Sequence, residues 1–379
     1  MRLVVFGLSI TSTWGNGHGT TYRALLEALH ARGHTIVFFE KDVEWYASNR
    51  DLPHPAFCEL RLYDEWSEAL PLVRKQLREA DVAVVGSYFP DGIAAIDEML
   101  DAGPPVKAFY DIDTPVTVSA LRAQGTADYI AARQIPELDI YFSFTGGPML
   151  REMERDFGAP RAVPLYCSFD PHRYRRRQLD QTLICDLSYM GTYAPDRQPK
   201  LEQLLAEPAR QLRGSRFIVA GSQYPKTVSW PDNVRHIAHL SPQWHAAFYS
   251  SSRFTLNVTR RDMTVAGYSP SVRLFEAAAC GAAILSDNWP GLDSFFVPAE
   301  EILLATDAED VLHYLTQLDL QEARCIGERA HARVLAEHTS TIRARQFETA
   351  VEDALAALQS AAAERAISET PAPAAAARN

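Results

Sequence analysis

Short apolar runs recur along this chain, and most are followed by a stretch with helical apolar spacing. In the first half the runs are RLVVFGL (2–8), HTIVFFE (34–40), DVAVVG (81–86), VKAFYD (106–111), LDIYFSFT (138–145) and RAVPLYC (161–167). Between them lie amphipathic stretches, such as the one carrying Tyr22, Leu25, Leu26 and Leu29 that stops at Gly33, and PMLREMERDFG (148–158). The second half restarts the alternation with ICDLSYMG (184–191), RFIVAG (216–221) and RFTLNV (253–258). Strands apolar on both faces can be buried only in a parallel sheet covered by helices on each side. The chain therefore predicts α/β architecture. With 379 residues it exceeds what one core usually serves, so two such units are expected.

The units read as two Rossmann-like domains, residues 1–167 and 183–338. A polar, basic connection, SFDPHRYRRRQLDQT (168–182), joins them as a linker. Its Arg173, Arg175, Arg176 and Arg177 could meet an anionic acceptor or a lipid headgroup, or simply be solvated. Helices follow to about residue 360, the last with Phe347, Val351, Leu355 and Leu358 on one face. Residues 364–379 hold too few large apolar side chains to pack and are expected to be disordered.

A formal net charge of −11 argues against a broad nucleic-acid footprint. Five scattered cysteines, with no C-x-x-C spacing, argue against a disulfide framework or a structural zinc site. No apolar run reaches the roughly 20 residues that span a bilayer. The apolar start is soon interrupted and reads as a strand rather than a signal peptide, so a cytoplasmic protein is expected.

Residues 253–287 form the most informative unit: strand, polar loop, a short helix from Ser271 to Cys280 stopped by Gly281, then a second strand ending at Asp287. The helix opens Ser-Pro-Ser with Arg273 in its first turn. Unpaired backbone N–H groups and a fixed guanidinium there suit a phosphate. Glu276, one turn on, suits ribose hydroxyls. The alternative is an exposed pair, Arg273 with Glu276, of little energetic weight. In the first half, the loop Gly15-Asn16-Gly17-His18-Gly19-Thr20 lets backbone approach a ligand, but has neither the GK[ST] ending of a P-loop nor the G-x-G-x-x-G order. His18 is a base candidate or a helix cap. Asp111-Ile112-Asp113 invites a metal reading, but Asp113 is better read as an acceptor contact or general base, or as a turn cap. The turn after 184–191 carries Gly191, Thr192, Arg197 and Lys200, with Gly221 to Pro225 closing a later strand.

The run from Asn257 through Ser271-Val272-Arg273-Leu274-Phe275-Glu276-Ala277 to Cys280-Gly281, with DLSYMGTY upstream, resembles the donor half of GT-B glycosyltransferases, specifically the CgeB-like spore-maturation branch. The resemblance implies two Rossmann-like domains facing each other across a cleft, with a C-terminal helix, here 339–363, crossing back to the first. It implies a nucleotide-diphosphate sugar as donor substrate, no cofactor and no required metal. Gly17 and its loop would touch the transferred sugar or diphosphate, and Ile237, Ala238 and His239 the nucleobase. Gly191, Thr192, Arg197, Lys200, Arg260, Ser271 and Arg273 would meet the diphosphate, with Asn257 part of the same site. Glu276 would hold the ribose, and His18 or Asp113 would act at a hydroxyl of a saccharide, protein or small-molecule acceptor. Many retaining relatives carry a second glutamate eight positions before the ribose one; Tyr268 stands there, leaving the stereochemical outcome open. A catalytically silent nucleotide- or saccharide-binding module and a sugar-nucleotide epimerase share the same shell.

Overall fold

The computed structural model describes residues 1–14 and 17–368. The first domain holds strands β1 (Arg2–Phe6), β2 (Thr35–Lys41), β3 (Glu59–Tyr63), β4 (Val82–Gly86) and β5 (Val106–Asp111), a small hairpin β6 (Thr126–Ala127) and β7 (Ile130–Ala131), then β8 (Ile140–Ser143) and β9 (Ala162–Pro164). Its helices are α1 (His18–Ala31), α2 (Glu44–Ala47), α3 (Trp66–Arg78), α4 (Gly92–Ala102), α5 (Thr114–Gln124) and α6 (Pro148–Phe157). The main sheet runs β3-β2-β1-β4-β5-β8-β9, all parallel, with registers such as Val4 beside both Val37 and Ala83. Side chains alternate between two cores. Leu3, Val5 and Val84 join the core under α1, while Val4, Phe6 and Val85 pack against α3 and α4.

The second domain repeats the plan with β10 (Cys185–Met190), β11 (Phe217–Ala220), β12 (Val234–Ile237), β13 (Ser252–Asn257), β14 (Ala283–Ser286) and β15 (Leu303–Leu304) in the order β12-β11-β10-β13-β14-β15, again parallel. Its helices are α7 (Gln198–Leu201), continued through a wider π turn into α8 (Glu207–Gln211), α9 (Pro242–Ser251), α10 (Arg261–Ala266), α11 (Val272–Ala279), α12 (Ala308–Gln317) and α13 (Leu320–Glu337). In both sheets the chain order reverses beside the first strand, and crevices open at the carboxyl ends of strands around such switch points. Those ends face one another across the molecule, as the residues shared by the interdomain cleft show.

The last helix, α14 (Ser340–Ser368), crosses back to the first domain and packs on α1, β5 and β8. Phe347 stacks on Phe142 with ring centroids 5.1 Å apart, and Glu348 pairs with Arg32 at 2.6 Å and His34 at 2.7 Å. The buried stripe is Ala344, Phe347, Val351 and Ala354; Leu358, expected on it, is 40% exposed. The helix runs five residues past the expected end at 363, and the remainder of the expected tail, 369–379, lies outside the described residues.

A seam joins the domains at the inner end of the cleft. Thr145 Oγ1 donates to Ser269 Oγ (2.9 Å), Gly146 N to the Tyr268 carbonyl (2.9 Å), and Cys167 Sγ to the Pro270 carbonyl (3.3 Å). The Tyr268 ring lies between Gly147 and Gly291: a Cβ on either would come within 2.4 Å of it, and both glycines have positive φ. Position 268, the place of a second glutamate in the retaining pattern, is here part of the seam.

Candidate active site

On the second-domain side, β10 ends at Met190 and the chain turns through Gly191 and Thr192, while α11 starts with its amino end toward the same space. Ser271 caps that helix by accepting from Arg273 N at 3.3 Å. The Arg273 side chain reaches back across the turn. Its Nε donates to the Met190 carbonyl, Nη1 donates to Asn257 Oδ1 at 2.9 Å, and the guanidinium carbon sits 5.0 Å from the Tyr189 ring centroid. A Cβ at Gly191 would lie 2.9 Å from Arg273 Nη2 and 2.6 Å from the Tyr189 hydroxyl, so a larger residue would displace the guanidinium. Arg197 approaches from the start of α7, with Nη2 donating to the Thr192 carbonyl at 2.7 Å and Nε buried without an acceptor among the described residues. Burial and the neighbouring Arg273 both lower the Arg197 pKa.

Glu276 is 5% exposed, and burial pushes its carboxyl up to about 7 against the opposing pull of the Tyr174 hydroxyl and Arg273. Tyr174 comes from the linker, and its hydroxyl is also 3.1 Å from His245 Nδ1 on α9.

On the first-domain side, His18 opens α1 and stands edge-on to Tyr88, ring centroids 5.2 Å apart. Burial lowers its pKa, Asp113 opposes that shift, and Nδ1 has no hydrogen-bond partner among the described residues. Asp113 holds the N-cap position of α5 after β5 without a side-chain capping bond, so its carboxylate is free to face the cleft; its Oδ2 accepts from the Tyr88 hydroxyl at 3.1 Å and lies 3.8 Å from Arg260 Nη1 of the other domain. The neighbouring Asp111 turns inward instead. It is fully buried, accepts from Tyr141 Oη (2.5 Å) and Thr117 Oγ1 (3.0 Å), and burial raises its pKa to about 6. The two aspartates of the D-x-D triplet thus point into different surroundings, and among the described residues no three His, Cys, Asp or Glu side chains gather as metal ligands.

These groups line one interdomain cleft of about 510 Å³. Gly17, His18, Asp113, Gly191, Thr192, Arg197, His239, Arg260, Ser271, Arg273 and Glu276 all border it, as does Ala238. His239 also lies 4.7 Å, centroid to centroid, from Trp14 across the gap. Three sequence expectations are corrected. Asn257 is fully buried behind Arg273 and does not border the cleft; its amide also donates to Thr259 Oγ1 and Ser286 Oγ. Lys200 turns to Asp287 at 3.2 Å, and Ile237 stays within β12. Gly15 and Asn16 lie outside the described residues. The linker arginines are exposed and away from the cleft, Arg173 being 3.4 Å from Asp170 and Arg176 3.7 Å from Glu328. Sequence reasoning did not single out Tyr88, Tyr174, His245 or Tyr249 as cleft residues. Tyr88 carried one usable signal, following Gly86 at the end of an apolar strand. Tyr174 reaches the cleft from the linker, and His245 and Tyr249 from α9.

A family model described as glycosyl transferase-like matches residues 197–349, less than half of the chain. No curated protein matches the sequence. Among solved structures, the chain is similar to sucrose-phosphate synthase from Thermosynechococcus elongatus, at 14% identity over 94% of this chain and 100% of that one, TM-score 0.68. It is similar to HepE from Anabaena in complex with UDP and glucose, at 12% identity over 93% and 100%, TM-score 0.66. A third is an α-glucosyltransferase in complex with UDP, at 13% identity over 93% and 100%, TM-score 0.68. At such identities the likeness concerns the fold, which is GT-B: two Rossmann-like domains with a cleft between them. Among the described residues no helix is long and apolar enough to cross a membrane.

Proposed function

We propose that this chain is a cytoplasmic glycosyltransferase of the CgeB-like branch, moving a sugar from a nucleoside-diphosphate donor to a hydroxyl acceptor without a metal. One observation carries the reading. Arg197 and Arg273 stand together at the cleft, neither forms an ion pair among the described residues, and Arg197 keeps a buried, unmatched Nε donor. Two partly desolvated cations repel each other, and an anion bridging them relieves both the repulsion and the unmatched donor. A diphosphate at the amino end of α11 does this, and the glycosyl transferase-like match over 197–349 includes both arginines.

In this reading Arg197, Arg273 and Arg260 stabilise the charge that grows on the departing diphosphate, the task that would otherwise fall to a cation. Glu276 accepts from the ribose hydroxyls, and the strip at Ala238 and His239 borders the base. His18, kept neutral by burial, takes the proton of the acceptor hydroxyl, and Asp113 steadies the imidazolium as it forms. The UDP bound in HepE and in the α-glucosyltransferase makes UDP the first ligand to try.

The test is donor turnover over UDP-, TDP- and GDP-sugars, with and without EDTA, beside calorimetric binding of the bare diphosphates. Expected are binding, release of free sugar insensitive to EDTA, and loss of about tenfold or more in affinity on Arg273→Ala. Binding without turnover would instead make the chain a recognition module, exchange at C2 an epimerase, and no binding would refute the reading.

A further inference from the structure

Beyond His18 and Asp113 the cleft continues into an annex of about 260 Å³. Its mouth is shared with the cleft through His18, Asp113, Arg197 and Arg260, while its inner wall is the interdomain seam at Ser269, Pro270 and Cys167. An apolar cavity of about 150 Å³ accommodates benzene, so this space has room for a substituted six-membered ring.

The interior is short of free polar groups. Ile112, Phe144, Val258 and Met263 contribute apolar surface. The polar side chains among them already have partners. Thr259 Oγ1 donates to Asp287 Oδ1 (2.9 Å) and accepts from Asn257 Nδ2 (3.2 Å). Ser269 Oγ accepts from Thr145 (2.9 Å) and donates to Met263 Sδ (3.2 Å). Cys167 Sγ donates to the Pro270 carbonyl at 3.3 Å. Thr21 is the remaining interior hydroxyl.

We infer that the annex receives the transferred sugar and that this sugar is a 6-deoxyhexose, with its methyl group against Phe144, Ile112 and Met263. The inference rests on the donor reading above. Arg197 and Arg260 border both the cleft and the annex, whereas His239 and Glu276 border the cleft and not the annex. The annex therefore adjoins the cleft on the side of the arginines assigned to the diphosphate, where the sugar of a nucleotide sugar is attached. Hydroxyls near the mouth meet Asp113, His18 and Ser271. A hydroxymethyl group pushed against Phe144, Ile112 and Met263 would give up water for apolar carbon and a thioether already bonded to Ser269, whereas a methyl group gives up none.

The experiment uses the full chain and matched donors differing by one hydroxyl: glucose against 6-deoxyglucose and galactose against 6-deoxygalactose, each on UDP, TDP and GDP. Free-sugar release gives kcat/KM, and calorimetry gives Kd for each donor and for the bare diphosphates. The 6-deoxy member of a pair should be preferred by about tenfold to a hundredfold in kcat/KM, the range an apolar pocket reaches against an added hydroxyl. Met263→Gln, which places an amide in the wall, should shrink that preference. Equal or better use of the hydroxylated donors, with bare diphosphate still bound, overturns this inference and leaves the donor reading standing. Failure of every bare diphosphate to bind overturns both.

Discussion

Glu276 is a carboxyl shut away from water beside one guanidinium, and burial raises it from 4.5 to about 7. The folded chain therefore holds this proton more tightly than the unfolded chain does. Its contribution to stability is complete below pH 4.5 and is lost as pH rises toward about 7. In the proposed reading ligand binding has the opposite slope, because two ribose hydroxyls would need a carboxylate to accept them. Affinity for a nucleotide sugar should rise roughly tenfold between about pH 6 and 8, the range over which a group of that pKa ionises. Calorimetry across that range should show the rise in the parent chain and a flat profile in Glu276→Gln; identical profiles would remove Glu276 from the ribose. Glu276→Ala should weaken binding by about 2–3 kcal/mol while the fold persists, since the lost carboxyl was itself costly to bury. His18 shifts the other way. Burial lowers its pKa, so the acid limb of kcat/KM should lie below 6.5 and should disappear in a residual His18→Asn rate about 10²–10⁴ lower. Arg273 and Glu276 were legible because they sit one turn apart at a helix start that follows a strand. Asn257 was misplaced because a strand-end position says which sheet end a residue occupies and not whether another side chain covers it.

The loop between α10 and α11 shows what single elements contribute. It presents Tyr268 to the first domain, the ring lying between Gly147 of that domain and Gly291 of its own. Gly147→Ala should therefore suffer twice, from the left-handed backbone at φ +60 and from a methyl 2.4 Å from the Tyr268 ring. Gly125→Ala, at φ +74, ψ −1 in the ordinary left-handed well and with nothing within 4 Å of the added methyl, suffers only a backbone cost, and a smaller one than Gly147 at φ +60, ψ −135. Urea unfolding should place Gly147→Ala about 1–3 kcal/mol below Gly125→Ala, the usual range for overpacking; equal losses would mean that the ring moves aside freely. Most strands and the long helices were readable because their apolar period is strong. Helix α2, the β6–β7 hairpin, β3, α5 and α10 were not, and the last three show why. The edge strand β3 is only half covered and reads as polar sequence. Helix α5 begins Thr-Pro-Val-Thr-Val, rich in β-branched residues, and α10 is a six-residue turn inside what reads as a polar loop. In each case tertiary contact rather than local preference decides the conformation, α10 for instance packing on α5 across the seam.

Across the whole molecule, two kinds of contact hold the domains in register. The α14 helix and the Thr145 to Pro270 seam are buried and structural. The Arg260–Asp113 contact at the cleft mouth differs: its side chains are 46% and 21% exposed and 3.8 Å apart. A pair so exposed adds little stability, about 0–1 kcal/mol, because water and salt screen it. If Arg260 served only to fasten the domains, Arg260→Ala would be nearly silent in both unfolding and turnover. In the proposed reaction Arg260 meets charge on the leaving diphosphate at a site closed by both domains, where one such donor is worth about 10²–10³ in kcat. The expected result is therefore a split: an unfolding free energy within about 1 kcal/mol of the parent chain, beside a loss of that size in donor turnover. Phe347→Ala provides the contrast. It opens a cavity where α14 stacks on Phe142, so it should lower stability by about 3–5 kcal/mol, as large-to-small core changes do. Turnover per folded molecule should fall far less than in Arg260→Ala, because the cleft charges stay in place. Equal losses of turnover per folded molecule in the two variants would mean that Arg260 acts through domain docking rather than on the leaving group.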